Sequence, residues 1–184
     1  GHSWGNFHIR MYNHLYPEEV KGALFIDSPT YTNMYKDVLI REEWDQIKYP
    51  YTTDALKRDH NTYIELWDNP LHSRNEEGID LKLSQQQIMS TTTFGDLPLI
   101  WFKSSWGVSN MYKKSPKGWP AKYWQKDRIW QAYGITSMKQ LSSNFKYVKS
   151  SEGKHSLQWH DPDTTIKLIR ELIVAINNKS QLFQ

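Results

Sequence analysis

The chain has 184 residues, of which 38% are hydrophobic and 14% aromatic; this composition excludes a disordered protein and suffices for one domain with a packed core. It contains no cysteine, which excludes disulfides, thiolate metal sites and a cysteine nucleophile but leaves the cellular compartment open. The net charge of +3 gives little support to nucleic-acid binding, and the longest apolar runs are far shorter than the roughly 20 residues that cross a bilayer.

The first five residues carry the pattern G-x-S-x-G, formed by Gly1, Ser3 and Gly5. This pattern is typical of a tight turn between a strand and a helix, which strains the serine backbone and exposes its hydroxyl. We expect both glycines to be required, because a Cβ at either position would collide with neighbouring backbone. A helix is predicted over Asn6–Leu15, with its positive N-terminal end directed at developing negative charge. The pattern makes Ser3 the first candidate nucleophile.

A short apolar run follows this helix over Val20–Ile26 and ends at Asp27, Ser28 and Pro29. Such a run suits a buried parallel strand and its loop. Residues 1–29 are therefore predicted to form the turn, the helix and the following strand of an α/β core.

Residues 30–94 differ in character, because charges rise, strand patterns vanish and apolar residues recur at helical spacing. We predict a mostly helical insertion, in which Thr53 or Asp54 starts one helix and Ser84 starts another. The insertion is expected to act as a cap over Ser3. Aromatic residues of the cap are expected to supply an apolar substrate pocket or, alternatively, only to hold the cap together; they are Tyr31, Tyr35, Trp44 and Trp67.

Residues 95–184 return to alternating strands and helices. Strands are predicted over Leu99–Phe102 and Phe145–Val148, and a helix is predicted over Lys122–Ser142. The segment Asp161–Asp163 opens a final helix with a broad apolar face, made by Ile166, Leu168, Ile169, Leu172, Ile173 and Ile176. This alternation predicts the α/β class, with a parallel sheet covered by helices on both faces.

One segment, Lys103–Arg128, interleaves basic and aromatic residues. Such a segment could hold phosphates and stack bases, so binding of nucleic acid or another anionic surface is one interpretation. The other is a solvated loop over an apolar floor, which we favour because the segment lacks a recognised nucleic-acid motif. The sequence also lacks metal-ligand spacing, and we expect no metal and no cofactor.

The order of these motifs resembles the C-terminal portion of the α/β-hydrolase fold, from the nucleophile turn onward. The matching residues are Gly1-His2-Ser3-Trp4-Gly5, then Tyr16-Pro17-Glu18-Glu19-Val20-Lys21-Gly22 and Asp27, then Asp96-Leu97-Pro98-Leu99-Ile100, and finally Gly153-Lys154-His155-Ser156-Leu157-Gln158 and Pro162. The resemblance covers nearly the whole chain outside the insertion. It implies a catalytic histidine in the loop after the last strand, at His155, and the chain order serine, acid, histidine.

The sequence departs from the family pattern at several positions. Lys154 separates Gly153 from the histidine, and Asn6 stands where a small residue is usual. The family's commonest position for the acid, after the Leu99–Phe102 strand, has no carboxylate. Asp27 is similar in position to the acid of haloalkane-dehalogenase-like members, at the end of the strand that follows the first helix. We therefore predict Asp27 as the acid, the alternative being that it only caps the turn after its strand.

The resemblance implies a serine hydrolase that cleaves a small-molecule ester or amide through an acyl-enzyme. Ser3 is the predicted nucleophile, His155 the base, Asp27 the acid and the Trp4 backbone N–H one oxyanion donor. The alternative is a non-catalytic hydrolase-like protein that binds a ligand in the same pocket. Neither the substrate nor the oligomeric state follows from these residues.

The chain starts with glycine, and no strand precedes the turn, so we expect it to be the C-terminal part of a longer protein. The second oxyanion donor would then come from an upstream loop. We accordingly expect this chain alone to have little or no esterase activity, and to be poorly soluble because a sheet edge is left unpaired.

Overall fold

The computed structural model describes residues 1–29, 69–73, 78–105 and 134–182. The elements in these ranges, in chain order, are helix α1 (Gly5–Leu15), strand β1 (Ala23–Ile26), helix α2 (Leu81–Met89), strand β2 (Leu99–Lys103), strand β3 (Phe145–Lys149), helix α3 (Leu157–His160) and helix α4 (Pro162–Asn178). Residues 134–139 are also helical.

The three strands form one parallel sheet in the order β1-β2-β3. Ala23 pairs with Leu99, and Leu99 in turn pairs with Phe145, so the strands start level with one another. Helices separate consecutive strands, as parallel connections require. The predicted fold class is confirmed in that the protein is α/β, with a parallel sheet flanked by helices.

The first three residues extend this sheet on the free side of β1. His2 forms a parallel bridge with Ile26. Gly1 N donates to the Leu24 carbonyl at 2.7 Å, Ile26 N donates to the Gly1 carbonyl at 2.8 Å, and Ser3 N donates to the Ile26 carbonyl at 2.9 Å. Ser3 therefore stands at the carboxyl end of a strand-like segment, beside the carboxyl end of β1.

Both faces of the sheet pack against apolar residues, which explains the nearly continuous apolar sequences of β1 and β2. Strand β3 is only partly buried and contains two lysines. One face contributes Phe25 and Trp101 to a cluster with Phe94 and Met138. The opposite face contributes alternate strand residues to a cluster with α3 and α4, made of Leu24, Ile100, Phe102, Leu157, Leu168, Ala175 and Leu182. The sheet is thus the fixed frame from whose carboxyl end the candidate site residues project.

The final helix is less buried than its pattern predicted. Leu168 and Ala175 of α4 are buried and Leu172 packs with them, at intervals of three or four residues along one stripe. Ile166, Ile169 and Ile173 remain 46%, 41% and 49% exposed. The prediction of a broad apolar face on this helix was therefore wrong in its extent, because the sheet covers only the stripe of α4 that faces it.

The chain divides into two compact units, one formed by Gly1–Thr30 with Thr91–Gln184 and the other by Tyr31–Ser90. In the second unit the predicted start of a helix at Ser84 is wrong. Asp80 is the N-cap of α2, and its Oδ1 accepts a hydrogen bond from Leu83 N at 2.8 Å. The helix begins one turn earlier because the Asp80 carboxylate already satisfies a backbone donor of its first turn.

Candidate active site

The backbone at Ser3 has the strain that the sequence pattern predicted. Its φ is 52°, in the left-handed region that non-glycine residues rarely adopt. A Cβ at Gly1 would lie 2.6 Å from the Gly5 carbonyl carbon, so the turn does require glycine at position 1. The same requirement at Gly5 is wrong, since a Cβ there would meet no described atom within 4 Å. Among the described residues, a close backbone approach lies on the Gly1 side of the turn and not on the Gly5 side.

The turn leads directly into α1. Gly5 N donates to the His2 carbonyl at 2.8 Å, and Phe7 N donates to the carbonyl of Trp4, the N-cap residue. Trp4 therefore follows Ser3 at the positive end of an 11-residue helix. That is the position predicted for an oxyanion donor, and the donor role of its N–H stays a prediction.

Asp27 directly follows β1 and lies beside the histidine loop. Its Oδ2 is 2.7 Å from His155 Nδ1, although 128 positions separate the two residues in the chain. The Asp27 side chain is 1% exposed and that of His155 is 45% exposed. Asp27 also has a positive φ, 43°, so two of the predicted site residues are held in left-handed backbone conformations. Strain of this kind persists where the surrounding structure fixes the residue, and it concentrates at functional sites.

The other oxygen of Asp27 is occupied by donors from the end of β2. Oδ1 lies 2.5 Å from Lys103 Nζ, 3.0 Å from Ser104 N and 2.8 Å from Ser104 Oγ. Burial alone would raise the pKa of Asp27, but the Lys103 charge and the hydrogen bonds from Lys103, His155 and Ser104 together lower this pKa below its ordinary value. The carboxylate is therefore held ionised, with Oδ2 aimed at the imidazole.

Lys103 and Ser104 are site residues that sequence reasoning missed. They stand at the strand end where the family most often carries its acid, and the absence of a carboxylate there was interpreted only as a departure. In a parallel sheet the carboxyl ends of neighbouring strands lie side by side, so donors at this position and an acid at Asp27 are complementary. Ile26 pairs with Phe102, which places Asp27 level with Lys103.

The loop that carries His155 follows β3 and is tied to the loop after β2. Ser105 N donates to the Glu152 carbonyl at 2.9 Å, and Ser105 Oγ donates to the Ser151 carbonyl at 2.9 Å. Ser150 Oγ donates to Asp161 Oδ2 at 2.5 Å. Asp161 is the N-cap residue of α4, as predicted, and its carboxylate also accepts hydrogen bonds from Thr164 in the first turn of that helix. Ser150 and Thr164 thus engage the Asp161 carboxylate at the start of α4.

His2 is a second residue that sequence reasoning missed. Its ring centroid lies 4.4 Å from that of His155, and its Nε2 lies 3.1 Å from the His155 carbonyl oxygen. No signal in the sequence pattern indicated this contact, because His2 occupies a variable position of G-x-S-x-G.

Some of the predicted site residues are in direct contact in the structure, and others are not. Asp27 and His155 are in direct contact, and His2 links the Ser3 turn to His155. Among the described residues, Ser3 Oγ has no hydrogen bond; catalytic hydrogen bonds are often long before substrate binds. The predicted pocket residues Tyr31, Tyr35, Trp44 and Trp67 lie outside the described residues.

Comparisons with known proteins give one match. No protein-family model matches the chain, and no curated protein matches it. Among solved structures, the chain is similar to the epoxide hydrolase of Bacillus megaterium in complex with an inhibitor. The two share 11% sequence identity over 94% of this chain and 67% of the other, with a TM-score of 0.44. Within the described ranges, none of the helices combines the length and apolar character needed to cross a membrane.

Proposed function

We propose that this protein is a serine hydrolase of the α/β-hydrolase type, which cleaves an ester or amide through an acyl-enzyme. The observation that carries the proposal is the 2.7 Å contact between His155 Nδ1 and the buried Asp27 carboxylate, at the sheet end that also bears Ser3. A carboxylate that accepts the Nδ1 proton leaves Nε2 free to act as a base, which is the arrangement of serine hydrolases.

The proposed reaction uses each residue once in each half. His155 Nε2 takes the proton of Ser3 Oγ as the oxygen attacks the carbonyl carbon, and Asp27 stabilises the imidazolium that forms. The Trp4 N–H donates to the oxyanion of the tetrahedral intermediate. The imidazolium then protonates the leaving alcohol or amine, which leaves an acyl group on Ser3. In the second half, His155 takes a proton from water as the water oxygen attacks the acyl carbon. The bond to Ser3 Oγ then breaks, His155 returns the proton to Ser3 Oγ, and the acid is released.

The Asp27 contacts support a catalytic role over turn capping. A capping aspartate at this position would accept hydrogen bonds from the backbone of its own turn, two residues on. The carboxylate instead accepts hydrogen bonds from the neighbouring strand end and the histidine loop, at Lys103, Ser104 and His155. These contacts support Asp27 as the acid of the proposed triad.

The substrate is proposed to be a small-molecule ester or amide with a small to medium apolar acyl group. The predicted cap, formed by residues 30–94, would supply the pocket through Tyr31, Tyr35, Trp44 and Trp67. A second oxyanion donor from an upstream loop is part of the proposal, so activity is to be measured on the full-length protein, with the chain of residues 1–184 expected to be inactive. Nucleic acid is not proposed as a partner, and Lys103 at the start of the basic segment is already engaged by Asp27.

Labelling with a fluorophosphonate tests the proposal, because only an activated serine reacts. The full-length protein should be labelled once, at Ser3, and Ser3→Ala should abolish the label. Ser143→Ala is the matched control: this serine donates to the Gly95 carbonyl, away from the site, and its loss should leave labelling unchanged. Labelling that persists in Ser3→Ala would contradict the proposed nucleophile.

The alternative function is a non-catalytic hydrolase-like protein that binds a ligand at this site. The Lys103 ion pair with Asp27 favours it, because a carboxylate neutralised by a lysine stabilises an imidazolium less. Absence of both labelling and ester turnover in the full-length protein, with small esters still bound, would establish this alternative.

A further inference from the structure

The histidine that precedes Ser3 contacts the predicted catalytic base at two points. The His2 ring lies against the His155 ring, with centroids 4.4 Å apart and the planes inclined by 46°. The His2 Nε2 also lies 3.1 Å from the His155 main-chain carbonyl oxygen. One contact involves the imidazole that carries the proposed chemistry, and the other involves the backbone that holds this imidazole.

The contact with the carbonyl requires a hydrogen on His2 Nε2. A carbonyl oxygen only accepts hydrogen bonds, so Nε2 must carry a hydrogen for the pair to form. His2 therefore donates, and a side chain without a donor at this place would leave the His155 carbonyl without this partner. An aromatic ring without nitrogen would keep the packing and lose the hydrogen bond.

The backbone of His2 is itself fixed by the sheet. His2 is bridged to Ile26, the residue before Asp27, and the neighbouring Gly1 and Ser3 make ladder hydrogen bonds with β1. His2 and Asp27 are therefore held by the same end of β1. His2 contacts the His155 carbonyl oxygen, and Asp27 contacts the His155 Nδ1.

The loop around His155 is exposed over most of its length. Glu152, Lys154 and His155 are exposed, and the tie between Ser105 and Glu152 lies three positions before the histidine. Helix α3 follows closely, and its first residue, Leu157, donates its N–H to the His155 carbonyl at 3.1 Å, beside the contact from His2. A displacement of about 1 Å of a reacting group costs on the order of a hundredfold in rate, so a hinge at this loop would be felt in catalysis.

We propose that His2 is a positioning residue for the base: its Nε2–H hydrogen bond to the His155 carbonyl holds the imidazole between Asp27 and Ser3. This inference rests on the proposed serine hydrolase function. In this role His2 acts through His155 and not on the substrate.

Two substitutions separate the hydrogen bond from the ring packing. His2→Gln keeps an N–H donor at a similar reach, and His2→Phe keeps an aromatic ring and removes the donor. In the full-length protein, His2→Phe should lower kcat for a p-nitrophenyl ester about tenfold to a hundredfold with KM changed less than about twofold. His2→Gln should restore kcat to within about threefold of the parent. His8→Phe, the same change at an exposed histidine of α1, is the control and should change neither constant.

A second readout does not depend on turnover. The proton on His155 Nδ1 gives a downfield proton NMR signal while Asp27 protects it from exchange, and this signal should persist in His2→Gln and broaden or vanish in His2→Phe. A normal signal and normal kcat in His2→Phe would overturn the proposal, as would an equal loss in His2→Gln and His2→Phe. If Ser3→Ala retains full turnover, the proposed function fails, and the NMR comparison still decides whether His2 positions His155.

Discussion

Replacing Lys103 with methionine should destabilise the protein through the buried Asp27 carboxylate. The substitution keeps most of the side-chain volume and removes the charge that lies 2.5 Å from Asp27 Oδ1. Removing one partner of a buried ion pair costs about 3–5 kcal/mol, because the remaining charge is left uncompensated. Lys103 is 29% exposed, so solvent already screens part of the interaction. Ser104 also retains its two hydrogen bonds to Oδ1, and we expect a loss of about 2–3 kcal/mol in the free energy of unfolding at neutral pH.

The pH dependence of this loss identifies Asp27 as its source. The pKa of folded Asp27 is lowered below its ordinary value of 3.8, so its ionised form contributes stability that is present above that pH and is lost as the pH falls through the lowered pKa. In Lys103→Met the effect of burial is no longer offset by the lysine, and the carboxyl takes up its proton at a higher pH than in the parent. The difference in stability between the two proteins should therefore be large at neutral pH and shrink as the pH falls through the pKa of Asp27 in Lys103→Met and on toward the lower pKa in the parent.

Urea unfolding of both proteins at neutral and acidic pH measures this difference. Lys146→Met is the matched control, because Lys146 also forms an ion pair, 2.6 Å from Glu171, but at a more exposed carboxylate away from the site. That pair should contribute no more than about 1 kcal/mol. Equal losses in Lys103→Met and Lys146→Met, or a Lys103→Met loss that does not shrink with acidification, would refute the argument.

The remaining predictions concern the acid and the turn. Asp27→Asn should reduce ester turnover by on the order of 10⁴ while the fold stays intact, since asparagine tolerates the positive φ; a loss under about tenfold, measured by kcat, would move the acid elsewhere. Gly1→Ala should abolish phosphonate labelling and lower the thermal midpoint, because its Cβ would lie 2.6 Å from the Gly5 backbone. Gly5→Ala should be tolerated in both measurements, and equal damage from the two substitutions would show that the turn is constrained differently.

The strands could be predicted from sequence because their apolar runs are short and bounded by turn residues. The ends were less accurate: β1 starts at Ala23, three residues after the predicted Val20. Its ladder with β2 begins where the Pro98 carbonyl accepts from Ala23 N, and Pro98 has no N–H with which to continue the ladder further back. Such a limit is set by the neighbouring strand and cannot be read from the apolar run itself.

The candidate site was predictable where the chemistry depends on one residue type in a fixed local setting. Ser3 and its positive φ follow from a local pattern, and Asp27 follows from its place after a strand. The partners of Asp27 could not be predicted in the same way. Lys103 and His2 make contacts between segments that are distant in sequence, and no local pattern marks either residue.

Detection of an acylated Ser3 tests the central claim most directly. The full-length protein is mixed with a p-nitrophenyl ester, and the reaction is quenched with acid during turnover. The protein is then digested, and the mass of the peptide that carries Ser3 is measured by mass spectrometry. The serine hydrolase mechanism predicts a mass increase equal to the acyl group on Ser3, preceded by a burst of p-nitrophenol and absent in Ser3→Ala. Turnover that Ser3→Ala leaves intact, with no acyl group on Ser3 in the parent, would contradict it.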